Sequence, residues 1–188
     1  MSAAFSVLTI CGIEELPDHC TRGVTHVLSL LDPGWPEIDS FADFGEHKRA
    51  VFHFHDTIEP LSGRIMPTRE DVAEILRFGA DLEVPGGEGH LLVHCHMGVS
   101  RSTAAMLSLL AQAHPQEAED RLFARLREIR PQAWPNSVMV GHADALLGRQ
   151  GRLVEALREH YSHRIQHDPE VVEWMTRLGR RREVEMAA

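Results

Sequence analysis

The twelve residues Leu91-Leu-Val-His-Cys-His-Met-Gly-Val-Ser-Arg-Ser102 constrain the fold more than any other stretch of the chain. An apolar run of strand length ends at His94-Cys95. After five intervening residues come Arg101 and the hydroxyl residue Ser102, which open into Thr103-Ala104-Ala105-Met106, a sequence suited to a helix. A short loop between a strand end and a helix start turns successive backbone N–H groups inward. It forms an anion nest at the positive end of the helix dipole. Gly98 lets the backbone turn tightly, and the planar fork of Arg101 can grip two oxygens of a tetrahedral anion. A cysteine at the mouth of such a nest has its thiolate stabilised by the same donors. The pattern therefore points to a thiolate nucleophile touching a bound phosphate. A merely structural cysteine in this turn would leave both Gly98 and Arg101 without a purpose.

The surrounding sequence supplies the rest of an α/β domain. Strand-like runs fall at Phe5 to Ile10, Val24 to Leu31, Ala50 to His55 and His90 to His94. The second stops at the turn Asp32-Pro33-Gly34. Thr68, with Asp71 three residues on, reads as a capping box opening a helix that Pro85-Gly86-Gly87 ends. Helical segments follow near residues 101–113, 116–130, 137–148 and 150–163. The expected fold is a central, largely parallel sheet of four to five strands flanked by helices. Residues 1–163 form the expected domain. Residues 164–188, with Val171, Val172, Met175 and Leu178 among many charges, read as an amphipathic helix or tail that packs on the body, frays, or mediates self-association of an otherwise monomeric protein.

Composition narrows the partners. With 188 residues and a net charge of −9, the chain lacks the basic surface that nucleic acid or an anionic membrane requires. No apolar run approaches a membrane span, and Met1 to Phe5 lack the basic start of a signal peptide, so a cytoplasmic location is expected. The three cysteines, Cys11, Cys20 and Cys95, are too few and too scattered for a disulfide framework.

His94 to Ser102 resembles the HC-x5-R-S/T active-site loop of cysteine-dependent protein phosphatases, most closely the dual-specificity type. The resemblance covers about residues 5–163. It implies a cysteine-phosphatase-like fold and a two-step phosphoryl transfer needing no metal or cofactor. The substrate would be a phosphorylated protein or a small phosphomonoester. Cys95 would be the nucleophile. Asp56, which lies 39 residues before it, would be the general acid and then the base. Arg101 and the amides of His96, Met97, Gly98, Val99, Ser100 and Arg101 would hold the phosphate oxygens. Ser102 would hydrogen-bond the sulfur, and His94 would support the loop. Asn136 either bonds to the back of the loop or caps the following helix. Two features depart from relatives of narrower specificity. The loop has no lysines of the kind phosphoinositide-directed members carry, and the single tyrosine, Tyr161, is far from where tyrosine-specific members place theirs. A shallow pocket open to both phosphotyrosine and phosphothreonine is therefore expected, with Trp35 either lining it or anchoring a loop.

Two other readings compete. His53-Phe54-His55 and His94-Cys95-His96 each place two histidines on one side of a strand, as a metal-dependent hydrolase would; that assignment leaves Arg101 unexplained. A phosphate-binding module without chemistry would follow from a displaced Asp56, whose rivals are Asp32, Asp39 and Asp43. Cys11, at the end of the first strand, is either a small buried apolar residue or a redox partner for Cys95. Arg180-Arg181-Arg182 reads as a solvated helix end.

Overall fold

The structure is a computed structural model that describes residues 6–82 and 89–187. Four parallel strands form one sheet in the order β1-β4-β2-β3: β1 (Val7–Cys11), β2 (His26–Leu31), β3 (Lys48–His53) and β4 (His90–His94). The two central strands, β2 and β4, are buried along their whole length, which explains their nearly unbroken apolar sequence.

Successive side chains of a strand face opposite sides, and here they divide between two cores. Leu28, Leu30, Leu91 and Val93 join the larger core with α1 (Arg69–Ala80), α2 (Arg101–Ala113) and the later helices. Val27, Leu31 and Leu92 join a smaller core with Leu16, Ile38 and Phe44. Two 3₁₀ segments, Ile13–His19 and Asp39–Asp43, cover that second face. Helix α2 is buried on almost every side, in keeping with its alanine-rich sequence. Thr68 and Asp71 close the capping box of α1. The Pro85-Gly86-Gly87 stop, like Phe5 at the expected start of β1, lies outside the described residues.

All four strands run the same way, so their carboxyl ends share one edge. In such sheets the functional loops gather there. Cys11, Asp32, Asp56 and Cys95 follow or end the four strands in turn.

The carboxyl-terminal region differs most from the sequence reading. Helices α3 (Glu119–Ile129) and α4 (Ser137–Leu146) are followed by α5 (Arg152–His167), which runs straight through position 163. Asp168-Pro169 then stops it. Two short helices follow instead of one long one, α6 (Val171–Arg177) and α7 (Arg181–Met186). They are separated by Gly179 at φ 75°. The Gly179 N–H bonds to Thr176 O and the Arg180 N–H to Met175 O, a Schellman turn that needs the left-handed glycine. Val171 and Met175 enter the main core, so this segment packs on its own chain. Among the described residues, no helix is long and apolar enough to cross a membrane.

Candidate active site

Residues 95–101 wrap around a concave space, and the surrounding chain dictates their orientation. Each carbonyl from His96 to Ser100 accepts a hydrogen bond from a donor outside that space. Ile13 N reaches His96 O at 3.0 Å, Arg130 reaches Met97 O and Gly98 O at 3.2 and 3.0 Å, and Trp134 N reaches Val99 O at 2.9 Å. Ser100 O receives Ala104 N at 3.0 Å. In a trans peptide the C=O and the following N–H point in opposite directions. The amides of residues 97–101 are therefore directed to the concave side, as an anion nest requires. Arg130 is itself fixed by a two-pronged pair with Glu15 at 2.8 and 2.7 Å.

Gly98 sits at φ 68°. A Cβ there would lie 2.5–2.7 Å from the backbone of Cys11 and Gly12. Gly98→Ala is accordingly expected to cost roughly 1–3 kcal/mol in backbone strain, plus whatever is lost when the loop is pushed off β1. Thermal unfolding would register a lower midpoint together with weakened binding of inorganic phosphate. An unchanged midpoint would show that the contact is slack.

Cys95 is buried, with Sγ 3.2 Å from Ser102 Oγ. His94 lies on the opposite face of the sheet. Its Nε2 is 2.6 Å from Ser29 Oγ, which also accepts from Arg49 Nε at 2.9 Å. Burial, with Arg49 nearby, pushes the His94 imidazole down to about 3. It is neutral, and its side-chain hydrogen bond runs to β2.

Arg101 is buried and braced: one terminal nitrogen donates to Asp32 Oδ1 at 2.7 Å and to Phe54 O at 2.5 Å. Its Nε–H is buried without a hydrogen-bond partner. Asp32, which reads in sequence as a turn residue, thus positions the arginine. His96 accepts from Asp32 N at 3.3 Å and packs on Trp35, ring centroids 4.1 Å apart. Burial, then Arg101, lowers the His96 pKa. Trp35 is half-exposed and is not part of the cavity wall.

Asp56 lines the same cavity as Cys95 and Arg101. One of its oxygens, Oδ1, accepts from Ser100 Oγ at 2.8 Å, Asn136 Nδ2 at 2.9 Å and Arg180 at 2.7 Å. Burial pushes this carboxyl up, but Arg180, Arg101 and the Asn136 hydrogen bond outweigh it and hold it at about 2. Asn136 does cap α4, through Val138 N and Met139 N, and its amide group holds Asp56 and Thr57 O. Its link to the phosphate loop is by backbone alone, Asn136 N to Ser100 O at 3.4 Å.

His55 Nδ1 accepts from Ile65 N and steadies the loop that carries Asp56. Among the described residues, no three of His, Cys, Asp and Glu are grouped as a metal would need. Tyr161 is buried, stacked on Trp134 and bonded to Pro135 O. Cys11 is a free, buried thiol that burial and Glu15 push up to about 12.

The cavity itself, about 310 Å³, is not walled by residues 1–163 alone. Trp174, Met175, Leu178 and Arg180 form part of its wall. Arg180, expected in solvent, is 3% exposed.

No known protein-family model matches the chain. Over 114 residues it is 33% identical to the human protein phosphatase Slingshot homolog 3, a match covering 60% of this chain but 15% of that protein. The chain thus spans a small fraction of that relative's length. Three solved structures share the fold at low identity. Human DUSP28 superposes with a TM-score of 0.57 at 17% identity, over 76% of this chain and 89% of that one. The Cydia pomonella PTP-2 phosphatase gives 0.55 at 16%, over 74% and 85%. Tk-PTP in its active form gives 0.51 at 22%, over 77% and 90%. The chain thus shares its fold with these solved structures, and over the matched 114 residues its sequence is similar to that of a protein phosphatase.

Proposed function

We propose that this chain hydrolyses phosphomonoesters through a phosphocysteine intermediate. One observation carries the reading: a buried cysteine opens a loop whose carbonyls from His96 to Ser100 all bond outward, with the braced Arg101 at its end. Such a loop is built to surround a dianion, and it holds a nucleophile against that anion.

In the first step the Cys95 thiolate attacks phosphorus in line. The bond to the ester oxygen breaks, and that oxygen takes a proton from Asp56. In the second, water attacks the phosphocysteine while the Asp56 carboxylate removes its proton. The S–P bond breaks and the thiolate is regenerated, its charge met by the Ser102 hydroxyl 3.2 Å away. The amides and Arg101 match the equatorial oxygens, whose charge must be neutralised throughout.

Hydrolysis of an aryl phosphate is expected to continue in excess chelator and to stop with vanadate or on alkylation of Cys95. Loss of activity on chelation, restored by zinc or manganese, would instead favour the histidine-metal reading.

A further inference from the structure

We propose that residues 171–187 form a substrate-selecting arm. Trp174, Met175 and Leu178 make an apolar wall for the leaving group, and Arg180 is a positioning residue that holds Asp56, so the site favours aryl over alkyl phosphomonoesters. The proposal rests on the hydrolase reading above and adds a substrate class to it.

The arm is docked by a buried polar network. Glu183 is 0% exposed. It accepts from Trp134 Nε1 and Ser137 N, both at 2.7 Å, and from two nitrogens of Arg180, both at 2.9 Å. The remaining donors of Arg180 reach Asp56 Oδ1 at 2.7 Å, Asp56 O at 3.5 Å and Ser100 Oγ at 2.9 Å. The chain reaches this position because the Gly179 turn reverses it directly after α6. Arg180 therefore links the acid, the phosphate loop and the first turn of α4, and has no spare donor for substrate.

Two independent features then select the leaving group. The first is the wall. An aromatic ring next to the phosphate would bury its face against Trp174 and Leu178, whereas a phosphothreonine methyl offers little area to bury. The second is the state of Asp56. Its Oδ1 accepts three donors, all of which stabilise the carboxylate over the acid. The ionisable groups around it are Arg180, Arg101 and His96, with Tyr161 behind on α5. Arg180 and Arg101 favour the carboxylate; Cys95 and Asp32 share the cavity wall with it, and the carboxylate of the Arg180 network, Glu183, is taken up by Arg180. An alkyl leaving oxygen needs a proton badly, whereas a phenolic one, with a conjugate acid near pKa 10, needs it less. Wall and acid both favour the aryl ester.

The test compares kcat/KM for matched phosphotyrosine and phosphothreonine peptides across pH. In the native protein the aryl substrate is expected to lead by on the order of 10². Arg180→Met combined with Glu183→Gln removes both buried charges together, which avoids stranding one. It should cut that lead roughly tenfold and move the alkaline limb for the phosphothreonine peptide to higher pH, while Arg180→Lys keeps the limb near its original position. Leu178→Ser, at a residue 49% exposed and so safe for folding, should raise KM about fivefold for phosphotyrosine and less for phosphothreonine. Cys95-dependent turnover with a native aryl-to-alkyl ratio near one overturns the proposal. So does a Leu178→Ser variant that raises KM equally for both peptides, or a folded double variant whose ratio and alkaline limb do not move. Absence of any Cys95-dependent turnover would sink the hydrolase reading itself, and the proposal with it.

Discussion

Serine in place of Cys95 is expected to abolish turnover of aryl and alkyl phosphates alike while leaving phosphopeptide binding in place. The substitution changes a sulfur for an oxygen and disturbs nothing that shapes the nest. The outward bonds of residues 96–100 involve backbone carbonyls, and the Arg101 brace to Asp32 and Phe54 O is independent of the thiol. What disappears is an anionic nucleophile, since a serine hydroxyl stays protonated where a thiolate forms. Removal of an enzyme's covalent nucleophile costs on the order of 10⁶ in kcat. Calorimetric titration with a phosphotyrosine peptide should therefore give a dissociation constant close to the native KM, in a protein whose turnover is undetectable. Residual turnover within about 100-fold of native would show that the thiol is not the nucleophile. Loss of binding together with turnover would mean that Cys95 is structural.

The residues at issue in that experiment were all legible in the sequence, for a local reason. The cysteine, the glycine and the arginine fall within seven residues, and a strand-to-helix turn of that length has few shapes available. Asp56 could be read because a parallel sheet brings successive strand ends to one edge, so a loop aspartate after the third strand must come near a cysteine after the fourth. Asp32 obeys the same rule after the second strand, yet Asp-Pro-Gly is also a turn signal, and the turn reading concealed its contact with Arg101. Arg180 was not legible. It lies 124 residues from Asp56 in the chain, within a run of three arginines that looks like a solvated helix end. Its neighbours fit that appearance, with the side chains of Arg181 and Arg182 76% and 70% exposed. Which arginine turns inward is set by the phase of the turn at Gly179, and local composition does not encode phase. The signals that point to it are a glycine directly after a short helix, a glutamate three residues beyond Arg180, and a buried Trp134 whose N–H needs an acceptor.

Asparagine at position 56 is expected to slow turnover by roughly 10²–10⁴, and the distribution of that loss between the two steps is the informative part. The carboxyl is held at about 2 against the opposing effect of burial, chiefly by Arg180 and Arg101. The protonated form, which the first step uses, is therefore scarce at neutral pH and grows scarcer as pH rises. The carboxylate, which the second step uses, is the prevailing form. For an aryl phosphate the first step needs little protonation, so Asp56→Asn should leave kcat/KM nearly intact and depress kcat. Phosphocysteine then accumulates. Rapid mixing should show a burst of about one equivalent of phenol followed by slow release, where the native enzyme shows little burst. For an alkyl phosphate kcat/KM itself should fall, and its alkaline limb, which reports the protonated acid, should vanish. If the variant gives no burst and retains kcat within about tenfold, the base lies elsewhere. Asp32 would be the residue to test next, since it borders the cavity and contacts Arg101, whereas Asp39 and Asp43 sit in the 3₁₀ segment outside the cavity wall.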